Sequence, residues 1–253
     1  MFGVPAATEF DLRFRLFGMP VRVHPLFWVM AAILGSRLQG GTTLLIWVAC
    51  VFVSILVHEF GHALVARAGG AGEPQVLLYG MGGLCVYENR LETPGRRLLV
   101  LMMGPGAGFL LLAITLGVAQ LWLKVHPLDA ILGDFSGRRL GASLTAVTAV
   151  DFLVRINLFW GIFNLLPIMP LDGGQIAAVL LNLHNRRLGL RRAYILSVVV
   201  AGLVAAFFVR IESYPNALLM GLLAFSSFQM LQVLHHQASM AGGYEDDPDW
   251  WKR

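Results

Sequence analysis

Two histidines and a glutamate stand inside an apolar run, "SILVHEFGHALVARAGG", Ser54 to Gly70. His58 and His62 are four positions apart, with Glu59 between them. On an α-helix that spacing puts both imidazoles on one face, about 6 Å apart along the axis. Two ring nitrogens can then meet one metal ion, with the glutamate beside a water held there. Zinc suits this donor set. It lowers the pKa of such a water towards ~7, and a glutamate can take the proton as the water attacks an amide. A chance match is the competing reading, and the surroundings weaken it. The preceding "TTLLIWVACVFV", Thr42 to Val53, carries no charge, and an ionised group at the centre of a membrane helix costs on the order of 2.5–3.5 kcal/mol. Three ionisable groups in one such segment require a partner.

A catalytic zinc takes three protein ligands and keeps one position open. The chain offers a second unusual stretch, "FNLLPIMPLDGGQ", Phe163 to Gln175. Pro167 and Pro170 oppose a continuous helix, and Gly173 with Gly174 permits close backbone approach. Irregular backbone at membrane depth survives only where it is buried in protein or lines a wet cavity. Asp172 sits in this break and is the natural third ligand. Its alternative role is an N-cap for the short helix that follows.

The elements that must position these residues are membrane spans. The chain has 253 residues, 57% hydrophobic and 13% charged, with a mean hydropathy of +0.69. Soluble domains carry about 25% charged residues, so the composition predicts an all-α polytopic membrane protein. The net charge of +4 fits loop arginines that set topology and gives no nucleic-acid surface. Six candidate spans cover about 24–37, 43–67, 97–123, 143–167, 192–210 and 215–235, each judged against the roughly 17–25 residues a crossing needs. A further short helix is expected at "LDGGQIAAVLLNLHN". The two cysteines, Cys50 and Cys85, lie in apolar surroundings and read as free buried thiols. No cleavable signal peptide is evident.

Arginine placement gives an orientation. Arg13, Arg15 and Arg22 precede the first span. Arg67, Arg90, Arg96 and Arg97 flank the second connection, and Arg186, Arg187, Arg191 and Arg192 the fourth. The odd connections are poorer in positive charge. The positive-inside bias therefore puts both termini in the cytoplasm, with the histidines one to two turns from that face.

These residues carry a family resemblance. "HEFGH" followed by "NLLPIMPLDGG", each in an apolar span, resembles the site-2 protease family of intramembrane zinc metalloproteases. "HPLFWVM" resembles the family's first-helix histidine-proline signature. "LLYGMGGLCVYE", Leu77 to Glu88, resembles its membrane-dipping β-hairpin, and "MGPGAG", Met103 to Gly108, the G-P signature of its third core helix. Several relatives carry an asparagine soon after that G-P pair. This chain reads Gly106-Ala107-Gly108, so polar support from that helix is not expected.

The resemblance implies one zinc per chain, bound by His58, His62 and Asp172, with Glu59 as general base. Asn164 matches the family asparagine placed at the substrate backbone or the oxyanion, where a side-chain amide can stabilise negative charge. Its alternative is to satisfy backbone groups freed by Pro167. The hairpin would add a strand to an unwound substrate; its alternative is an ordinary glycine-rich loop. The implied reaction is hydrolysis of peptide bonds in or near transmembrane segments, in the course of regulated intramembrane proteolysis. The implied partners are a transmembrane protein substrate, the lipid bilayer and a separate regulatory membrane protein. The implied location is the plasma membrane of a prokaryote.

One domain is expected over 1–253: a catalytic core at about 20–183, two further spans at about 192–235 and a flexible tail at 236–253. No connection reaches the roughly 50 residues of a small domain, so neither a PDZ domain nor a C-terminal regulatory domain is expected, and the chain reads as closest to the sporulation-protease-like branch. Asp151 and Arg155, at i and i+4 in the fourth span, read as a neutralising pair, and His24 as a helix-end residue. Two rival readings are a small transporter, since broken helices are common there, and a catalytically inactive scaffold. Glu59 discriminates, because only a protease loses a peptide product when this base is removed.

Overall fold

The structure is a computed structural model and describes residues 5–88, 93–138, 141–184 and 188–245. Arg90, Arg139, Arg186, Arg187, Trp250 and Trp251 lie outside the described residues. Cα packing divides the chain into two compact units, residues 2–164 and 165–253.

The first unit opens with a hairpin, β1 (Leu12–Leu16) and β2 (Met19–Val23). Phe17 and Gly18 both have positive φ, 51° and 78°, the backbone of a two-residue turn that matches strand twist. Met19, Val21 and Val23 alternate into the core and are buried, as the period of two requires. A second hairpin, β3 (Gln75–Tyr79) and β4 (Gly82–Val86), turns at Gly80 and Met81. It falls on the segment expected to form one. Parallel pairing of Val21 with Val76 and Val23 with Leu78 joins the hairpins into one sheet, in the order β1-β2-β3-β4.

Helix α1 (Pro25–Leu34) starts on a proline, with His24 Nδ1 accepting from Leu26 N at 3.1 Å. His24 is thus a capping residue. Ten residues rise only about 15 Å, half of a ~30 Å hydrocarbon core. The first of the six expected spans is therefore a short helix. Trp47 Nε1 donates to Ala31 O at 2.9 Å, and a Cβ on Gly35 would fall 2.8 Å from Leu44 Cδ1. These contacts fix α1 against α2 (Gly41–Ala68). Helix α3 (Pro94–Val118) is capped by Thr93 and leaves through a π-turn at Ala119–Leu123. The short α4 (Pro127–Leu132) leads to α5 (Leu144–Asn164). The second unit contains α6 (Asp172–His184), α7 (Gly189–Arg210) and α8 (Tyr214–Glu245).

Among the described residues, five helices are long and apolar enough to cross a membrane: Gly41–Ala68, Pro94–Leu123, Leu144–Asn164, Gly189–Arg210 and Tyr214–Gln237. Their outer faces expose Leu110, Leu121, Leu203, Phe207 and Leu218, a surface that suits lipid and not water. Cys50 and Cys85 are free thiols.

Candidate metal centre

The histidine pair is set by α2 alone. The Nε2 atoms of His58 and His62 lie 3.3 Å apart, with the rings at 80°. Two nitrogens each ~2.05 Å from a tetrahedral zinc would be about 3.3–3.4 Å apart. The observed spacing fits. His62 Nδ1 lies 2.7 Å from the Val100 carbonyl oxygen. A carbonyl can only accept, so Nδ1 carries the proton and Nε2 keeps its lone pair for a metal. His58, Glu59 and His62 are 3%, 5% and 6% exposed, so α2 holds three titratable side chains out of solvent within little more than one turn.

Glycines let neighbouring elements reach these side chains. A Cβ on Gly61, inside "HEFGH", would fall 2.8 Å from Ala107 Cβ and against the Met103 carbonyl. Its absence lets α3 lie directly on the histidine helix. A Cβ on Gly104 would fall 2.7 Å from His62 Cδ2, so the G-P glycine vacates the volume that the imidazole occupies. On β4, a Cβ on Gly83 would fall 2.6 Å from Glu59 Cδ. The hairpin backbone thus covers the Glu59 carboxylate. Next to it, Gly82 has φ 117°, and a Cβ there would meet the Trp160 indole at 3.1 Å.

Asn164 ends α5 and is buried. Its Nδ2 donates to Trp160 O at 3.1 Å, which uses one of its two amide hydrogens. The side chain therefore satisfies a carbonyl of its own helix, not a group freed by Pro167. Asn157, which the sequence reading passed over, donates to Ser54 Oγ at 3.0 Å and to Leu153 O at 2.8 Å. A Cβ on Gly108 would lie 3.7 Å from its Oδ1. The polar residue that α3 lacks near its G-P pair is thus supplied at that level by α5, one helical turn from His58. Only a buried asparagine at helical spacing could have signalled it. Farther off, Arg155 Nε donates to Asp151 Oδ1 at 2.7 Å, and the two form an ion pair.

In the second unit, Asp172 is the first residue of α6 and is 8% exposed. Gln175 N donates to Leu171 O at 3.0 Å, so Leu171 holds the cap position and the aspartate lies just inside the helix. An acidic group there meets the positive end of the helix dipole. A Cβ on Gly174 would fall 2.6 Å from Met169 N, and one on Gly173 against the Leu165 and Leu166 carbonyls. The glycine pair lets α6 begin pressed onto the preceding break. His58 and His62 in the first unit and Asp172 in the second are each buried and each carry an atom of a kind that zinc binds. Two imidazoles and a carboxylate are a catalytic zinc donor set that leaves a fourth position open.

Comparison with known proteins places this chemistry in context. The sequence model of Peptidase family M50 matches residues 46–207. The chain is 32% identical over 175 residues to sll0528 of Synechocystis sp., provisionally named a zinc metalloprotease, covering 64% of this chain and 41% of that one. It is 26% identical over 182 residues to stage IV sporulation protein FB of Bacillus subtilis, covering 71% and 53%. The chain thus spans about half or less of the length of these relatives. In fold it matches the solved site-2 protease from Methanocaldococcus jannaschii with a TM-score of 0.58 at 22% identity, covering 88% of this chain and 95% of that one.

Proposed function

Because the chain belongs to peptidase family M50, we propose that this integral membrane protein is a zinc metalloendopeptidase that cuts peptide bonds in or near transmembrane segments. The observation that carries the reading is the buried His58–His62 pair, with ring nitrogens 3.3 Å apart and Glu59 in the same turn. One zinc per chain is held by His58, His62 and Asp172, the whole chain acting as a single membrane-embedded protease domain. Zinc, when bound, polarises the scissile carbonyl and acidifies a water.

The chain's own residues do the rest. Glu59, buried under the hairpin, takes the proton of the attacking water and returns it to the leaving amine. Asn164 has a second amide hydrogen to offer a developing oxyanion. Strand β4 offers backbone groups to an unwound substrate, whose own N–H and C=O groups otherwise cost about 1–3 kcal/mol each when buried and unpaired. Asn164→Ala is expected to lower kcat with zinc content unchanged; equal kcat rules out the oxyanion role. Proline at Leu84, which removes a backbone donor from β4, is expected to slow cleavage of a stable helical substrate. Undiminished turnover of that substrate rules out strand pairing.

The substrate class is a transmembrane protein, cut in regulated intramembrane proteolysis with a separate regulatory membrane protein controlling access. The location is the plasma membrane of a prokaryote with both termini cytoplasmic, as the arginine bias supports. A cysteine at Leu190 should react only with a reagent applied from the cytoplasmic side; labelling from the outer face alone reverses the topology. The function itself is tested by reconstitution with a panel of single-span peptides. Zinc-dependent cleavage products are expected, and no product from any peptide, with zinc bound, contradicts the assignment.

A further inference from the structure

Two serines in the last two spans hold the segment that carries Asp172. Ser197 on α7 and Ser227 on α8 are 0% and 1% exposed, and their hydroxyl oxygens lie 2.9 Å apart. The Met169 N–H donates to Ser197 Oγ at 2.6 Å. A hydroxyl has one hydrogen and two lone pairs. Ser197 can therefore accept from Met169 and donate to Ser227 at once, so the three groups form one chain of hydrogen bonds. Serines inside helices commonly bond back to the carbonyl one turn earlier. Here the Ser197 hydroxyl can instead donate to Ser227 while it accepts from a different segment.

That segment is the break itself. Pro167 and Pro170 have no N–H to offer, and the backbone there leaves regular helix. Ile168 N donates to Leu166 O at 2.7 Å, and Leu171 N to Ile168 O at 2.8 Å; Ile168 is fully buried. Met169 N–H is the donor that Ser197 takes up. The opening turn of α6 rests on the same peptide, because Gly174 approaches Met169 N and the Ile168 carbonyl more closely than any side chain permits. Only Pro170 and Leu171 separate Met169 from Asp172. A shift of the Met169 peptide is thus passed to the aspartate both along the chain and through the α6 contact.

We propose that Ser197, backed by Ser227, is a positioning residue for Asp172: it fixes the Met169 peptide and, through it, the place of the carboxylate that binds zinc. The inference rests on the reading of Asp172 as a zinc ligand. It gives the last two spans a part in the metal site beyond anchorage in lipid, and Ser227 lies past residue 207, where the family match ends.

Zinc affinity of the purified full chain, measured by competition with a chelator, tests this without recourse to activity. Asp172→Ala must first weaken zinc retention; if it does not, the ligand reading fails and the serine proposal with it. Given that loss, Ser197→Ala is expected to weaken zinc about tenfold, in the range seen for groups that orient metal ligands. Ala201→Ser, a destabilising change one turn along the same buried face, is expected to lower the thermal midpoint with zinc affinity unchanged. Ser227→Ala keeps the Met169–Ser197 contact and removes only its support, so it should weaken zinc by a smaller factor, about two- to threefold. This variant also decides the matter if Ser197→Ala does not fold. Wild-type zinc affinity in whichever serine variant folds, beside a weakened Asp172→Ala, overturns the proposal.

Discussion

Gly104 and His62 share one volume: a Cβ on the glycine would lie 2.7 Å from Cδ2 of the imidazole. The ring stands where a side chain of α3 would otherwise be, and the Val100 carbonyl, one turn earlier on α3, accepts from its Nδ1 at 2.7 Å. Helix α3 thus both makes room for His62 and turns it.

Alanine ordinarily stabilises a helix interior by about 1 kcal/mol over glycine. Gly104→Ala should do the reverse at the metal. The ring must rotate away from Val100, and zinc affinity is expected to fall about 10- to 100-fold, as for loss of a group that orients a metal ligand. Chelator competition measures it; unchanged affinity means the ring has another place to stand.

Gly83→Ala separates the role proposed for Glu59 from that of the metal. The new methyl group displaces the Glu59 carboxylate, whose atoms are its nearest neighbours. Zinc content should stay at the wild-type level while kcat falls about 100-fold, the scale of a misplacement near 1 Å. Equal loss of zinc and kcat would show that the hairpin supports the metal site as well.

Asn157 ties α5 to α2 one turn from His58. Asn157→Ala leaves the Leu153 carbonyl without this donor and Ser54 without its partner, and should cost about 1–3 kcal/mol of stability. Thermal unfolding in detergent measures the loss. A midpoint within error of wild type would mean that Ser54 and Leu153 find other partners.

Much of this was legible in the residues, for physical reasons. His58 and His62 are four positions apart on one helix, so their spacing alone puts the two imidazoles on one face, with Glu59 in the same turn. The second hairpin advertised itself by glycines, and five long spans and the helix that begins at Asp172 by predominantly apolar runs. The first span did not, since ten apolar residues beside Pro25 look alike whether they cross a membrane or stop at Gly35. The β1–β2 hairpin was hidden because Arg13, Arg15 and Arg22 read as topology signals while alternating with strand residues. Its pairing with β3 joins segments some fifty positions apart, as Val21 and Val76 do, and no local pattern reports such a contact. The same holds for Ser197 and Ser227, which look like ordinary helix serines until their tertiary partners are seen.

The central claim is that a zinc-bound chain hydrolyses peptides with Glu59 as its base. The most direct measurement is cleavage of a single-span peptide in proteoliposomes by wild type and Glu59→Gln, with zinc quantified in the same samples. Both proteins should hold one zinc per chain, and the variant, isosteric but unable to take a proton, should lose turnover by about 10²-fold or more. Cleavage by Glu59→Gln at the wild-type rate, with zinc equal in both, would contradict the account.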